Sequence, residues 1–560
     1  MAVPIDGRRD CGLRPRLKTG LGISFVLRGS PFARSTPPEA LVADQFDYVI
    51  VGAGSAGCVL ANRLSADPDV RVALLEAGGR DRKLEIRIPA AFPKLFHTAY
   101  DWDLFTKEQK ELDGRELYWP RGKTLGGSSS INAQMWVRGA RADYDTWGPG
   151  WTYDEVLPYF HRAERRHGSN AGETYGTDGP LWIEELRSPN PLRSAFFEAC
   201  SQAGMHRLPE LNVPNIDGYA PTPVNQHRGR RWSAADGYLH PVRKRPNLTV
   251  LTGAEARRIR FDGKRAVGVA YRVNGGPITD ARATREVIVS AGAVHSPHLL
   301  QLSGIGDLSI LRDADVDPIL DLPAVGQNLQ DHLCTAVIMY SPDPVTLVAA
   351  ERPAEIIRFV ARRKGMLTSN VGEAVAFARS HASIPVPDLE FIFAPVPFID
   401  HGQVEPPGHG ITVGVILLQP ESRGSVTVRS ADRAVPPNID PGYLSEPNDL
   451  ARLVEGVRQC QDLFATSAMR PHVSAPMEPG PDETDLEEFV RSQAETLYHP
   501  VGTCRMGTDA ESVVDPELRV RGIDGLRVVD ASVIPTIIRG HTHAPTIMIA
   551  EKGADLIRSG

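Results

Sequence analysis

The stretch "VGAGSAG" (residues 51–57) sets glycines at 52, 54 and 57, a spacing that suits cradling a phosphate. Gly52 permits a tight turn, Gly54 lets the backbone approach a pyrophosphate, and Gly57 allows the following helix to pack closely. The helix start, with Ser55 and Ala56 in its first turn, adds N–H donors and positive potential. Downstream, "RVALLEAG" ends in Glu76 and Ala77, where a carboxylate can accept ribose hydroxyls and disfavour a 2′-phosphate. The loop fits FAD or NAD and rejects NADP.

The elements that must hold this loop lie on either side of it. "DYVIV" reads as a buried strand, "GCVLANRLSAD" as a helix and "RVALLEAG" as a second strand, which together make one βαβ unit. Two distant runs, "EVIVSAG" (286–292) and "LRVVD" (526–530), read as further strands of the same parallel sheet. A domain assembled from such distant pieces implies that the intervening chain builds a second one. The expected fold class is α/β (α+β overall): a Rossmann-like cofactor domain on a parallel sheet, interleaved with a substrate domain on a mostly antiparallel sheet. We assign 44–160, 230–325 and 495–560 to the first domain. The second takes 161–229 and 326–494, where "GSVTVRS" and "ITVGVILLQ" alternate as antiparallel strands. Residues 1–43 are expected to be a disordered extension. Their basic residues ahead of "LGISFVL" imitate a leader only loosely, because Arg28 interrupts the short patch and no A-x-A-like site follows.

Bulk properties narrow the class. With 560 residues, 41% hydrophobic and 23% charged, the chain reads as a soluble globular enzyme of several domain-sized units. A net charge of −7 leaves no broad basic footprint for nucleic acid. No run reaches the 18 to 20 apolar residues of a membrane span, so no integral membrane segment is expected. The six cysteines, at 11, 58, 200, 334, 460 and 504, show neither CxxC pairing nor metal-type spacing. They are read as reduced thiols of a cytoplasmic protein without a metal site.

Five further stretches carry a resemblance: "GKTLGGSSSINAQMWVRGARADYD" (122–145), "GAVHSPHLLQLSGIG" (292–306), "VGQNLQDH" (325–332), "HPVGTCRMG" (499–507) and "VVDASVIPTIIRGHTHAPTIMIAEKGADLI" (528–557). With the glycine loop, they resemble the glucose-methanol-choline (GMC) oxidoreductases, and the first two fit that family's signature patterns at every constrained position. "YWPRGKTLGGSSSIN" and "APTIMIAEK" point to the choline-dehydrogenase-like branch. The resemblance implies FAD as the cofactor. Gly126, Gly127 and Ser128, followed by Asn132 and Ala133, would then hold a second part of that long molecule. Members that attach FAD covalently through this segment carry a histidine directly before its Asn. Here Ile131 precedes Asn132, so noncovalent FAD is expected. By the same comparison Asp530 and Ala531 contact the cofactor's phosphate and ribityl region, although an acid there also suits a helix cap.

The resemblance further implies alcohol oxidation, in which a hydroxyl proton leaves and a hydride passes from the same carbon to flavin N5. Imidazole is the base suited to that proton near neutral pH. His499 and His541 match the family's active-site pair. His499 is the candidate base and His541 the candidate hydrogen-bond donor to the developing alkoxide, with exchange of roles left open. His543 is read as a flavin-edge contact, and Pro545 as the opening of a helix whose positive end faces the flavin. The expected reaction takes a small-molecule primary alcohol to an aldehyde and passes electrons to oxygen, a quinone or another carrier. The alternative on this fold is a hydroxynitrile lyase with non-redox FAD.

Overall fold

The structure, a computed structural model, describes residues 45–167 and 174–560. The expected extension 1–43 and Cys11 lie outside the described residues.

Tyr48–Val51, the inner part of the strand Gln45–Val51, is buried throughout, as a central parallel strand covered by helices must be. It pairs in parallel with Val72–Glu76 on one side and Ile278–Val289 on the other. Leu248–Thr252 extends the sheet beyond Val72–Glu76, and Leu526–Val528 adds to Val287–Val289, again in parallel. "EVIVSAG" and "LRVVD" therefore do join the sheet that carries the glycine loop. The other end of Ile278–Val289 turns antiparallel, pairing with Arg265–Val273 and through it with Ala254–Asp262. Sequence reasoning did not single out that hairpin. Ala254, Ala256 and Ile259 are buried, whereas Arg260 is exposed.

The second large sheet is antiparallel throughout. Its order is Pro476–Glu478, Leu333–Tyr340, Gly410–Leu417, Leu389–Ala394, Ala374–Ala378 and Gly218–Pro221. The strand period of two divides Gly410–Leu417 cleanly. Ile411, Val413, Val415 and Leu417 belong to the hydrophobic cluster shared with the helix Pro447–Ala465, whereas Thr412, Gly414 and Ile416 line a cavity. "ITVGVILLQ" thus forms the expected strand. "GSVTVRS" also forms an antiparallel strand: Ser425–Thr427 pairs with Asn438–Asp440, in a two-stranded ladder separate from the large sheet.

Two features aim functional residues. Glu495–Thr496 pairs with Leu333 and Cys334 at the edge of the second sheet, which delivers the chain straight into His499. The C-terminal helix His543–Ser559 lies against Ser55–Leu64. Glu551 fastens that contact: its buried carboxylate accepts from Arg63 Nε at 2.9 Å, Arg63 Nη2 at 2.7 Å and the Tyr238 hydroxyl at 2.7 Å. A bidentate guanidinium with a third donor satisfies a charge that would otherwise be costly to bury. The helix starts at His543, two residues before Pro545, so its first turn carries the second histidine of "HTH".

Candidate active site

A cavity of about 590 Å³ runs from the glycine loop to the second sheet. The loop is built as its spacing requires. Gly52 has φ +97°, and a Cβ there would stand 2.5 Å from the Ser290 carbonyl oxygen. Gly54 faces open space, and behind it Gly127 (φ +53°) approaches so closely that its Cβ would come within 2.7 Å of the Gly54 Cα. The two glycine segments are packed back to back.

Fifteen of the eighteen expected site residues line this one cavity: Gly52, Gly54, Ser55, Ala56, Glu76 and Ala77; Gly127, Ser128, Asn132 and Ala133; Asp530 and Ala531; His499, His541 and His543. Gly57, Gly126 and Pro545 do not. A Cβ on Gly57 would fall 1.8 Å from the Gly52 carbonyl oxygen, and one on Gly126 2.3 Å from Ser130 Oγ, so both are held by the packing of the loops themselves. Pro545 is buried in the helix, and Thr546 reaches the cavity in its place.

Glu76 is buried, accepting from Ala53 N at 2.8 Å and Gly78 N at 2.7 Å, and burial pushes its carboxyl up to about 7. Each oxygen keeps a lone pair for a further donor. Asp530 does cap the turn Ala531–Val533, through Ser532 N at 2.8 Å, and also accepts from Gly292 N at 2.8 Å. It thereby ties the start of the helix Gly292–Leu302 to the cavity wall. Ser290 Oγ, Thr335 Oγ1, Asn370 Oδ1 and His543 Nε2 are buried at this cavity without a protein partner. Unpaired buried polar atoms are rare in folded proteins. Several such atoms around one space suit a ligand with several donors and acceptors, as FAD is.

The histidines sit at the other end. The His499 and His541 rings lie 4.8 Å apart, edge to face. His332 Nε2 is 3.0 Å from the Leu418 carbonyl and so must donate to it; its Nδ1, 2.9 Å from His499 Nδ1, then accepts. His499 Nδ1 carries the proton of that bond, which leaves His499 Nε2 unprotonated. Burial holds His332 down at about 3 and, with neighbouring His541 and His332, holds His499 well below the usual imidazole range. Both stay neutral at physiological pH. The His499 backbone N–H donates to Asp331 at 2.7 Å, and the preceding Tyr498 takes a left-handed backbone (φ +67°), braced by Arg121 on its carbonyl at 2.6 Å. Strain of this kind needs surroundings that enforce it.

His541 Nε2 lies 3.0 Å from Glu390 Oε1, and Glu390 is fully buried. Glu390 shares the cavity face of its strand with Ile392 and Ala394. His543 points elsewhere: its Nδ1 is 3.1 Å from Ser55 Oγ and its ring meets Trp136 edge to face. Burial pushes it down to about 4. Sequence reasoning assigned no role to His332, although "VGQNLQDH" contains it, and did not single out Glu390, a lone acid inside the apolar "LEFIFA". That lone acid was the available signal.

Residues 46–334 and 420–550 each match the family described as GMC oxidoreductase, and the chain belongs to that family. It is 51% identical to an uncharacterized GMC-type oxidoreductase of Mycobacterium bovis, over 92% of this chain and 99% of the relative. It is 42% identical to an alcohol dehydrogenase [acceptor] of Pseudomonas putida (91% and 95% covered) and 42% identical to the mitochondrial choline dehydrogenase of Homo sapiens (92% and 90%). Among solved structures, it superposes on pyridoxine 4-oxidase of Mesorbium loti with TM-score 0.84 at 33% identity (92% and 99% covered). Formate oxidase of Aspergillus oryzae, a structure concerned with FAD modification, gives 0.87 at 30% (92% and 98%). The chain is thus an FAD-dependent oxidoreductase acting on CH–OH donors, in the choline-dehydrogenase-like branch.

Proposed function

We propose that this protein oxidises a primary alcohol to an aldehyde, with His499 as base and FAD held noncovalently. The observation that carries the reading is the directed chain from the Leu418 carbonyl through His332 to His499, which leaves His499 Nε2 free to accept a hydroxyl proton. His541, held by Glu390 through Nε2, is the hydrogen-bonding partner of the oxygen as negative charge grows there. FAD, when bound, supplies the acceptor for the hydride that leaves the carbinol carbon. Gly52, Gly54, Ser55 and Glu76 would hold its pyrophosphate and ribose, and Asn132, Asp530 and His543 the remainder. Ile131 lines the cavity where a covalent histidine link would otherwise form, which supports noncovalent attachment.

The parallel sheet would serve FAD and the antiparallel sheet the alcohol, along the division of 44–160, 230–325 and 495–560 against 161–229 and 326–494. We also propose a cytoplasmic location, supported by free thiols at all five described cysteines. No described helix is long and apolar enough to cross a membrane. The electron acceptor is oxygen, a quinone or another carrier. The test is to mix the yellow protein with a panel of alcohols under argon: loss of flavin absorbance supports the reading. Flavin that stays oxidised while a cyanohydrin is cleaved would assign the site to the hydroxynitrile lyases.

A further inference from the structure

The helix Pro353–Arg362 presents its apolar face outward. Of its apolar side chains, Phe359 is the buried anchor, whereas Ile356, Ile357 and Val360 are 45%, 66% and 67% exposed. At 3.6 residues per turn Ile356, Val360, Pro353, Ile357 and Ala361 form one continuous arc of about 140°. All five are exposed, and Arg358 and Arg362 follow at one border of the arc. Single exposed aliphatics are ordinary; a contiguous apolar arc on one helix marks a surface that something covers.

Charge shows what covers it. Residues 351–364 carry five basic and two acidic side chains, net +3, in a chain of net −7. Arg358 pairs with Glu355, yet Arg87, Arg230, Arg352, Arg362, Arg363 and Lys364 have no carboxylate within 4 Å among the described residues. Burial pushes the Arg230 guanidinium down, and neighbouring Arg87 and Arg363 push it further. A second copy of the chain would set these cations against their own kind. An apolar arc bordered by uncompensated cations is the pattern of helices that lie in the interface of anionic lipid.

We propose that Pro353–Arg362 docks this protein onto an anionic membrane surface, with Ile356, Ile357 and Val360 inserted among the acyl chains and the flanking cations on the headgroups. The helix is coupled to the site. Glu355 Oε2 accepts from Met366 N at 2.9 Å, and the chain then runs through the turn Met366–Thr368 to Asn370 and Val371 in the cavity wall.

The test uses FAD-loaded protein with phosphatidylglycerol vesicles and, separately, phosphatidylcholine vesicles in a flotation assay. Wild type should float with the anionic vesicles only, and rising salt should release it. Ile357→Glu with Val360→Glu should cut partitioning at least tenfold through lost apolar burial. Arg362→Glu with Lys364→Glu should cut it about 25-fold or more, at roughly fivefold per basic residue. Both variants should keep bound flavin and the wild-type rate with a water-soluble alcohol and dye, which shows that they fold. Absence from anionic vesicles, or equal flotation with phosphatidylcholine, would overturn the proposal. So would a wild-type oligomer that Ile357→Glu with Val360→Glu dissociates without any vesicle binding, since the face would then join copies of the chain.

Discussion

His332→Leu tests the proposed role of His332 in setting up His499 as the base. In the native protein His499 Nδ1–H donates to His332 at 2.9 Å, and His332 donates to the Leu418 carbonyl at 3.0 Å. Leucine of similar volume removes both partners. A buried donor left unpaired costs about 1 to 3 kcal/mol, and the tautomer that presents Nε2 is then no longer enforced. At about 1.4 kcal/mol per factor of ten, flavin reduction by a saturating alcohol should slow by about 5- to 150-fold. His332→Gln offers an oxygen to His499 and an NH₂ to Leu418, and should recover to within about fivefold. The assay is anaerobic stopped-flow absorbance with one good substrate, repeated across pH. A base acts when deprotonated. Because His499 is held well below the usual imidazole range, the wild-type rate should stay flat above pH 7 and fall only on the acid side, below that range. His332→Leu at the wild-type rate with an unchanged profile, or His332→Gln as slow as His332→Leu, would refute the reasoning.

Glu390→Gln keeps an acceptor for His541 but removes its charge; the gap between charged and neutral hydrogen bonds is about 1 kcal/mol or more, so flavin reduction should slow at least about fivefold while FAD binding stays unchanged by equilibrium dialysis. Glu76→Ala should weaken FAD about tenfold to a hundredfold by the same titration, with Glu76→Gln intermediate; equal affinity in all three would move the ribose contact elsewhere. Acid precipitation should release yellow FAD into the supernatant, whereas flavin that stays with the pellet would contradict noncovalent attachment.

The cofactor half of the site was legible because it is local. Gly52, Gly54, Gly57 and Glu76 fall within one βαβ unit, where spacing alone dictates the turn and the helix start. The histidine half of the cavity is assembled from far parts of the chain: His332 meets His499 across 167 residues, and Glu390 meets His541 across 151. Neither partner stands in a local pattern, since Glu390 shows only as an acid breaking an apolar strand. His332 shows only as part of a motif whose geometry is tertiary. The strands followed the same rule. "ITVGVILLQ" announced itself by alternation, whereas Ala254–Asp262 hid its buried residues among arginines. Ser425–Thr427 likewise showed its period, and it pairs antiparallel with Asn438–Asp440 outside the large sheet.

The central claim is that His499 removes the hydroxyl proton as an alcohol reduces the flavin, and His499→Ala tests it most directly. With FAD content matched to wild type, anaerobic stopped-flow reduction by one good alcohol should slow by about 10² to 10⁴, the usual share of a general base. Reduction by His499→Ala within about tenfold of wild type would contradict the account.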